Sequence, residues 1–285
     1  MKLLLLCLTA SLSLAADKVR TEHDVDFLGA GRKEKADLYL PADPQPGQKF
    51  PAVVIIHGGG WAGGEKRAAR EINIGTTLAL NGYVGMSIDY VLANSGHPGP
   101  TWPQNLHDCK TAVRWLRANS GRLNIDPAHI GVIGGSAGGH LAAMVGLCGG
   151  ELDPPGQGDC RVQCAVDLYG PVLWFEQRDL TMFRKTRAEA PGLYQQADPR
   201  SHIDRNDPPL LILHGTADKT VAVADSEALA AAMKTAGASY QLEVIPNAPH
   251  SFHLEPRQRD LRPLVLGFFD RHLKSKAGQP SRPAK

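Results

Sequence analysis

Three short stretches carry the residues whose types and spacing could do covalent chemistry. The first is Gly134-Gly135-Ser136-Ala137-Gly138, a G-x-S-x-G pattern placed between an apolar strand-like run and a helical run. That context is what a nucleophile elbow needs: a turn too tight for flanking side chains, presenting a serine hydroxyl at a helix N-terminus. Ser136 could equally serve as an ordinary helix cap, since serine is favoured there. The second stretch, ILHGTADKTV, puts Asp218 just past a buried run, and the third, VIPNAPHSFH, puts His250 after the last one. A serine hydroxyl needs a base to accept its proton, and the base needs an acid to orient it. The order Ser136, Asp218, His250 supplies nucleophile, orienter and base at three successive strand ends. His253 is a rival base, three residues further on. His214 reads as structural, Asp225 as a helix cap and His140 as packed on the nucleophile helix.

A fourth stretch, FPAVVIIHGGGWAGGEK, ends a continuous apolar run in His57-Gly58-Gly59-Gly60. Glycine loses the most backbone freedom on folding, so three in a row at the mouth of a core strand call for a purpose. Attack on an acyl carbon places negative charge on oxygen, which fixed N–H donors must meet. Ala137 supplies one N–H from the elbow, and Gly59 and Gly60 are the expected donors from this loop, with His57 holding it in place. A phosphate-binding turn is the alternative, but no Lys-Ser/Thr pair follows and no G-x-G-x-x-G is completed.

These groups need a scaffold that brings several strand ends to one edge. Short apolar runs alternate with amphipathic stretches from residue 25 to residue 274. A hairpin-like pair, VDFL and KADLYLP, precedes the strands AVVIIH, YVGMSIDY, HIGVIG, CAVDLYG, PLLILHG and YQLEVIP. Helical patterns lie between them, including 67–80, 102–119 and SEALAAAMKTAG, with LRPLVLGFFDRHLK closing the series. Strand alternating with helix implies an α/β fold, a mostly parallel sheet with helices on both faces, whose ligands bind beyond the carboxyl ends of the strands. Residues 172–207 break the rhythm and are expected to form an insertion over that edge. No internal repeat or linker is visible, so residues 17–274 read as one catalytic domain and the polar 275–285 as a frayed tail.

The chain has 285 residues, 42% hydrophobic and 21% charged, and a formal net charge of +2. With no basic cluster, neither nucleic acid nor an anionic membrane surface is expected as a partner. The opening MKLLLLCLTASLSLAADK has the layout of a secretory signal peptide, residues 1–16, cleaved after Ala15 or Ala16. Its apolar run is shorter than the roughly 20 residues a membrane span needs. Cys7 lies too early to be a lipoprotein cysteine. Export, to the periplasm or the medium, is the expectation. Cys148 and Cys160 flank the loop GGELDPPGQGD and make the first disulfide pairing to test, while Cys109 and Cys164 read as small buried residues.

Together HGGGW, GGSAGGH, HGTAD and the terminal histidine resemble the α/β-hydrolase superfamily. More closely they are similar to hormone-sensitive-lipase-like esterases and to the bacterial bifunctional feruloyl and acetyl-xylan esterases. The resemblance covers about residues 25–274. It implies an α/β-hydrolase fold and ester hydrolysis through an acyl-enzyme, with no metal and no organic cofactor. It also implies the roles already argued for Ser136, Asp218, His250, Gly59, Gly60 and Ala137. The implied substrate is a small-molecule or polysaccharide ester, such as an acetyl or feruloyl ester, and no oligomeric state follows. Trp61 and Trp102 are the candidate pocket walls, and Trp115, in a helical apolar stripe, reads as core. One departure is VLWFEQRDL after CAVDLYGP, where those esterases often carry a Thr-Asp pair.

Three competitors remain. A lipase lid should be apolar, but 176–189 holds Glu176, Arg178, Asp179, Arg184, Lys185, Arg187 and Glu189. A prolyl-oligopeptidase-like peptidase needs a large accessory domain that has no room here. A non-catalytic binding protein on the same scaffold usually loses a triad member or the glycines, and all are present.

Overall fold

The computed structural model describes residues 19–274. The signal peptide and the tail expected at 1–16 and 275–285 lie outside the described residues. Eight strands form one sheet in the order β1-β2-β4-β3-β5-β6-β7-β8. They are β1 Val19–Val25, β2 Ala36–Pro41, β3 Phe50–Ile56, β4 Val84–Ile88, β5 Ile125–Gly135, β6 Cys164–Leu168, β7 Leu210–Gly215 and β8 Tyr240–Ile245. The β1–β2 and β2–β4 pairs are antiparallel, and every other pair is parallel. Among the described residues seven α-helices lie between or after them: α1 Ala69–Leu80, α2 Gln104–Ala118, α3 Ala137–Leu147, α4 Trp174–Gln177, α5 Pro191–Ala197, α6 Val223–Ala236 and α7 Arg262–Leu273.

The apolar run of β3 is buried at every position, and its two-residue period sorts it between two cores. Val54 and Ile56 join the cluster under α2, α3 and α6, with Leu106, Leu141 and Leu229. Val53 and Ile55 face α1 and α7, against Ile74, Leu78, Phe268 and Phe269. Helices therefore cover both faces. No helix among the described residues is long and apolar enough to cross a membrane.

The first strand lies earlier than the VDFL expected for it. The edge strand Val19–Val25 is mostly solvent-facing, so it shows little apolar signal, and a register irregularity interrupts its pairing after Glu22 before Val25 resumes it opposite Ala36. Phe27 is buried beyond the strand's end. The chain leaves β3 to pair β4 on one side, then returns to pair β5 on the other. A reversal of this kind opens a crevice beyond the carboxyl ends of the two strands. The loops of His57–Gly60 and Ser136 leave β3 and β5 at this point.

The 172–207 region holds α4, a 3-10 turn at Thr181–Phe183, α5 and a second 3-10 turn at Pro199–His202. Asp225, in the first turn of α6, anchors its start by accepting the N–H groups of Val172 and Leu173, each at 2.8 Å. His140 anchors its far end, with Nε2 at 2.8 Å from the Ala197 carbonyl, while Trp61 Nε1 donates to His140 Nδ1 at 3.2 Å.

The four cysteines of the described residues are free and buried, so Cys148 and Cys160 are not bridged. Cys160 Sγ turns instead toward the Gly149 carbonyl and Asp153. Ions and carbonyls hold the loop that a bridge was expected to staple. The buried Lys110 ammonium donates to the carbonyls of Cys148 and Gly149 at 2.8 and 2.5 Å, and Arg114 pairs with Asp153.

Burial pushes the imidazoles of His57 and His140 down to about 4, so both are neutral in the fold. Unfolding frees them to titrate near 6.5, and between pH 6.5 and about 4 the unfolded chain binds more protons than the native one. Stability is then lost as pH falls through that window, by about 1.4 kcal/mol per pH unit for each histidine. The buried Asp167 and half-buried Asp207 carboxyls, raised to about 7 and about 6 by burial, act in the opposite sense over the same window. The histidine contribution is therefore read from the difference between wild type and His140→Gln in urea unfolding at pH 7, 6 and 5. The variant should lose less stability on acidification, by about 1.4 kcal/mol per pH unit, and an identical pH dependence would contradict the assignment.

Candidate active site

The serine arrives on a turn that only glycine neighbours permit. Ser136 has φ 58°, in the left-handed region. A Cβ on Gly134 would lie 2.1 Å from the Gly138 carbonyl oxygen, and one on Gly138 would lie 2.1 Å from that of Ile56. Gly135 is needed for a reason the motif does not state. Its missing side chain leaves room for the Arg70 guanidinium, whose Nη1 would be 2.5 Å from a Cβ there. Ser136 N–H donates to the Leu168 carbonyl at 2.8 Å, so the first free N–H after the nucleophile is that of Ala137, at the start of α3.

His250 Nε2 lies 3.0 Å from Ser136 Oγ, and its Nδ1 lies 2.6 Å from Asp218 Oδ2. The Asp218 side chain is fully buried, and its other oxygen accepts the N–H groups of Thr220 and Val221 at 2.8 and 2.9 Å. With the carboxylate held in this way, His250 keeps its proton on Nδ1 and turns the Nε2 lone pair toward the serine. His214, in contact with the same carboxylate at 3.3 Å, also meets Ser226 Oγ and the Val221 carbonyl, so it braces the loop. Among the described residues His253 makes no hydrogen bond to Ser136 or Asp218, and it stands on the wall of the cleft.

The glycine loop faces the serine. Gly58 approaches most closely, since a Cβ there would be 2.8 Å from the Gly135 carbonyl and 3.2 Å from Ser136 Cβ. Gly59 and Gly60 adopt φ 112° and 62°, are exposed to the cleft, and their N–H groups have no acceptor among the described residues. His57, neutral, sits 2.6 Å from the Gly58 carbonyl through Nδ1 and stacks on Tyr90 at 4.4 Å. Tyr90 Oη donates to the His57 carbonyl at 3.0 Å. The loop is thus fixed from behind, with bare backbone in front.

A cleft of about 520 Å³ opens over these groups, lined by Gly58–Gly60, Arg70, Ser136, Trp174, Thr220, His250 and His253. Trp61 and Trp102 are absent from its wall. Trp61 is 2% exposed and Trp102 4%, both packed in the core beside His140. A positive φ of 57° at Trp61 turns its ring inward, and Trp102 Nε1 donates to Gln196. The tryptophan on the cleft is Trp174, in α4, resting on Trp61 at 6.3 Å with Arg178 4.1 Å above its ring.

Sequence reasoning also missed Arg70 and Tyr169. Arg70 donates to Glu71 through Nε at 2.9 Å and to Tyr169 Oη through Nη1 at 2.9 Å. Tyr169 Oη donates to the Phe252 carbonyl at 2.8 Å, and its ring meets that of His250 edge-on at 4.8 Å. The pair therefore fixes both the ring and the loop of His250 from below. No short motif could have signalled contacts between residues 70, 169 and 250.

Residues 36–233 match the BD-FAE family model. Esterase LipQ of Mycobacterium tuberculosis is 32% identical over 245 residues, covering 81% of this chain and 57% of that protein. A propionate-bound esterase from the planctomycete Thermogutta terrifontis superposes with a TM-score of 0.73 at 26% identity, covering 91% of this chain and 97% of the other. A truncated carbohydrate esterase from gut microbiota gives a TM-score of 0.78 over 91% of this chain and 98% of its own, at 24% identity, a likeness of fold. The chain spans about half the length of the curated relatives it matches, between 49% and 57% of each. With the match spanning most of the sheet and the elbow on β5, the chain belongs to the BD-FAE family of α/β-hydrolase esterases.

Proposed function

We propose that the protein is a serine carboxylic ester hydrolase acting on short-chain or aryl esters through an acyl-enzyme. The observation that carries this reading is the unbroken relay Asp218–His250–Ser136, at 2.6 and 3.0 Å, opening on a cleft that also holds Gly59 and Gly60. Ser136 Oγ attacks the acyl carbon while His250 Nε2 takes its proton. The charge that develops on the carbonyl oxygen is met by the N–H groups of Ala137, Gly59 and Gly60. His250 then returns the proton to the leaving alcohol. Water repeats the sequence, regenerating the serine and releasing the acid.

The cleft and its rim support a reading of small or aryl esters as substrates. The Thermogutta esterase binds propionate, which fits a short acyl group. Trp174 offers an aryl or sugar face beside the serine, and the nearby insertion carries Glu176, Arg178 and Arg187 rather than an apolar lid. Acetyl or feruloyl groups on an extracellular polysaccharide fit this rim and the expected export. Hydrolysis of p-nitrophenyl acetate, butyrate and octanoate, with methyl ferulate and acetylated xylan alongside, tests the reading. Acetate or ferulate release should dominate, and a preference for octanoate would favour a lipase-like enzyme on longer chains.

Two variants probe the geometry. Asp218→Asn should leave the fold intact and lower kcat by about 10⁴-fold, because the imidazole loses its fixed tautomer; a loss under tenfold would remove Asp218 from the role. Trp174→Ala should lower kcat/KM for methyl ferulate by about 3- to 10-fold, the worth of one aromatic contact, with ethyl acetate changed by less than about twofold. Equal losses on both esters would deny the tryptophan a part in aryl recognition.

A further inference from the structure

The helix that presents Ser136 at one end presents a thiol at the other. Cys148 caps α3, and its Sγ faces His202, the last residue of the 3-10 turn that closes the insertion, together with Glu151 of the loop that follows α3. A sulfur, an imidazole nitrogen and a carboxylate oxygen from these three residues all lie within 4.8 Å of one another. Nothing in the hydrolytic relay uses them.

The hydrogen bonds around His202 decide what the cluster suits. Its Nε2 lies 2.8 Å from the Gln196 carbonyl, an acceptor only, so this nitrogen carries a proton. Its Nδ1 lies 3.1 Å from Glu151 Oε2, where a proton joins the pair in the metal-free protein and where a metal ion would take that proton's place. An imidazole oriented by a backbone carbonyl through its other nitrogen is the usual arrangement of a metal-ligating histidine. Thiolate, imidazole and carboxylate together suit Zn²⁺, whereas Ca²⁺ and Mg²⁺ take oxygen ligands. A tetrahedral zinc with bonds of about 2.0–2.3 Å sets its ligand atoms roughly 3.3–3.8 Å apart. His202 Nδ1 and Glu151 Oε2 already stand 3.1 Å apart, all three ligand atoms lie within 4.8 Å of one another, and the Glu151 side chain, 64% exposed, is free to adjust.

We propose that Cys148, Glu151 and His202 bind a Zn²⁺ ion, with water in the fourth position, and that this ion clips the insertion to the far end of the nucleophile helix. Binding releases the thiol proton of Cys148 and the proton between His202 Nδ1 and Glu151, and changes no oxidation state. The clip joins two segments separated by more than 50 residues of chain, from Cys148 to His202, and so adds to the contact that His140 makes with Ala197 on the same helix.

The test uses the whole reduced protein, stripped with EDTA and titrated calorimetrically with Zn²⁺ alone. The expected result is one ion per chain, a sulfur neighbour at about 2.3 Å by X-ray absorption, and a rise in Tm on loading. Cys148→Ser should abolish binding. Because Cys148 is buried and its replacement could disturb the fold, the exposed Glu151→Gln is the second variant, expected to bind about tenfold more weakly or worse. The proposal is overturned if the folded, reduced protein takes up no zinc, or if Glu151→Gln binds as tightly as the wild type. It is equally overturned if protein from its host carries a Cys148–Cys160 bridge, two hydrogens lighter by intact mass, and binds no metal.

Discussion

The carboxyl ends of β3 and β5 come together so closely that backbone touches backbone, and the chemistry depends on that approach. A single added carbon on Gly138 would strike the Ile56 carbonyl at 2.1 Å, and one on Gly58 would meet the Gly135 carbonyl at 2.8 Å. The same contact forces Ser136 into a left-handed conformation, worth about 1–3 kcal/mol of strain for a residue with a side chain. The bonds from Ser136 N–H to Leu168 and from His140 N–H to the Ser136 carbonyl hold it there. Two loops that would otherwise cap separate strands thereby share one small space, with a hydroxyl on one side and bare N–H groups on the other.

Around this contact the fold arranges charge with economy. Asp218 is the buried carboxylate of the relay, and two backbone N–H groups and two histidines meet it. Arg70 fills the space left by Gly135 and passes its orientation through Tyr169 to the ring of His250. His57 and His140, both neutral, act as braces: one locks the glycine loop, the other ties α3 to the insertion. The insertion is therefore fastened to the nucleophile helix and, through Asp225, to α6, while it brings Trp174 to the cleft.

Much of this was legible in the sequence because the chemistry sits where strands end. An apolar run followed by glycine, serine, aspartate or histidine fixes both the element and the direction in which the next residue must point. That is why Ser136, Asp218 and His250 could be named from spacing, and why the fold brings them within hydrogen-bonding distance. Side-chain direction away from strand ends is another matter. Trp61 follows the glycines, yet its backbone conformation sends the ring into the core, and the wall it was expected to form belongs to Trp174 in a segment without periodic signal. The cysteines flanking the Gly/Pro loop invited a bridge, but the Lys110 ammonium and the carbonyls beside it set the loop's path, and the two thiols face other groups. The edge strand Val19–Val25 was misplaced because solvent on most of its residues removes the apolar pattern. Arg70 and Tyr169 depend on contacts between distant elements, which one sequence does not encode in any local spacing.

The central claim is that Ser136, activated by His250, is the group that becomes acylated. The most direct measurement is intact mass and peptide mapping after exposure of the whole protein to a fluorophosphonate. The account predicts one adduct per chain, on Ser136, and none in Ser136→Ala. Folded wild-type protein that takes no adduct, or that carries it on another residue, would contradict it.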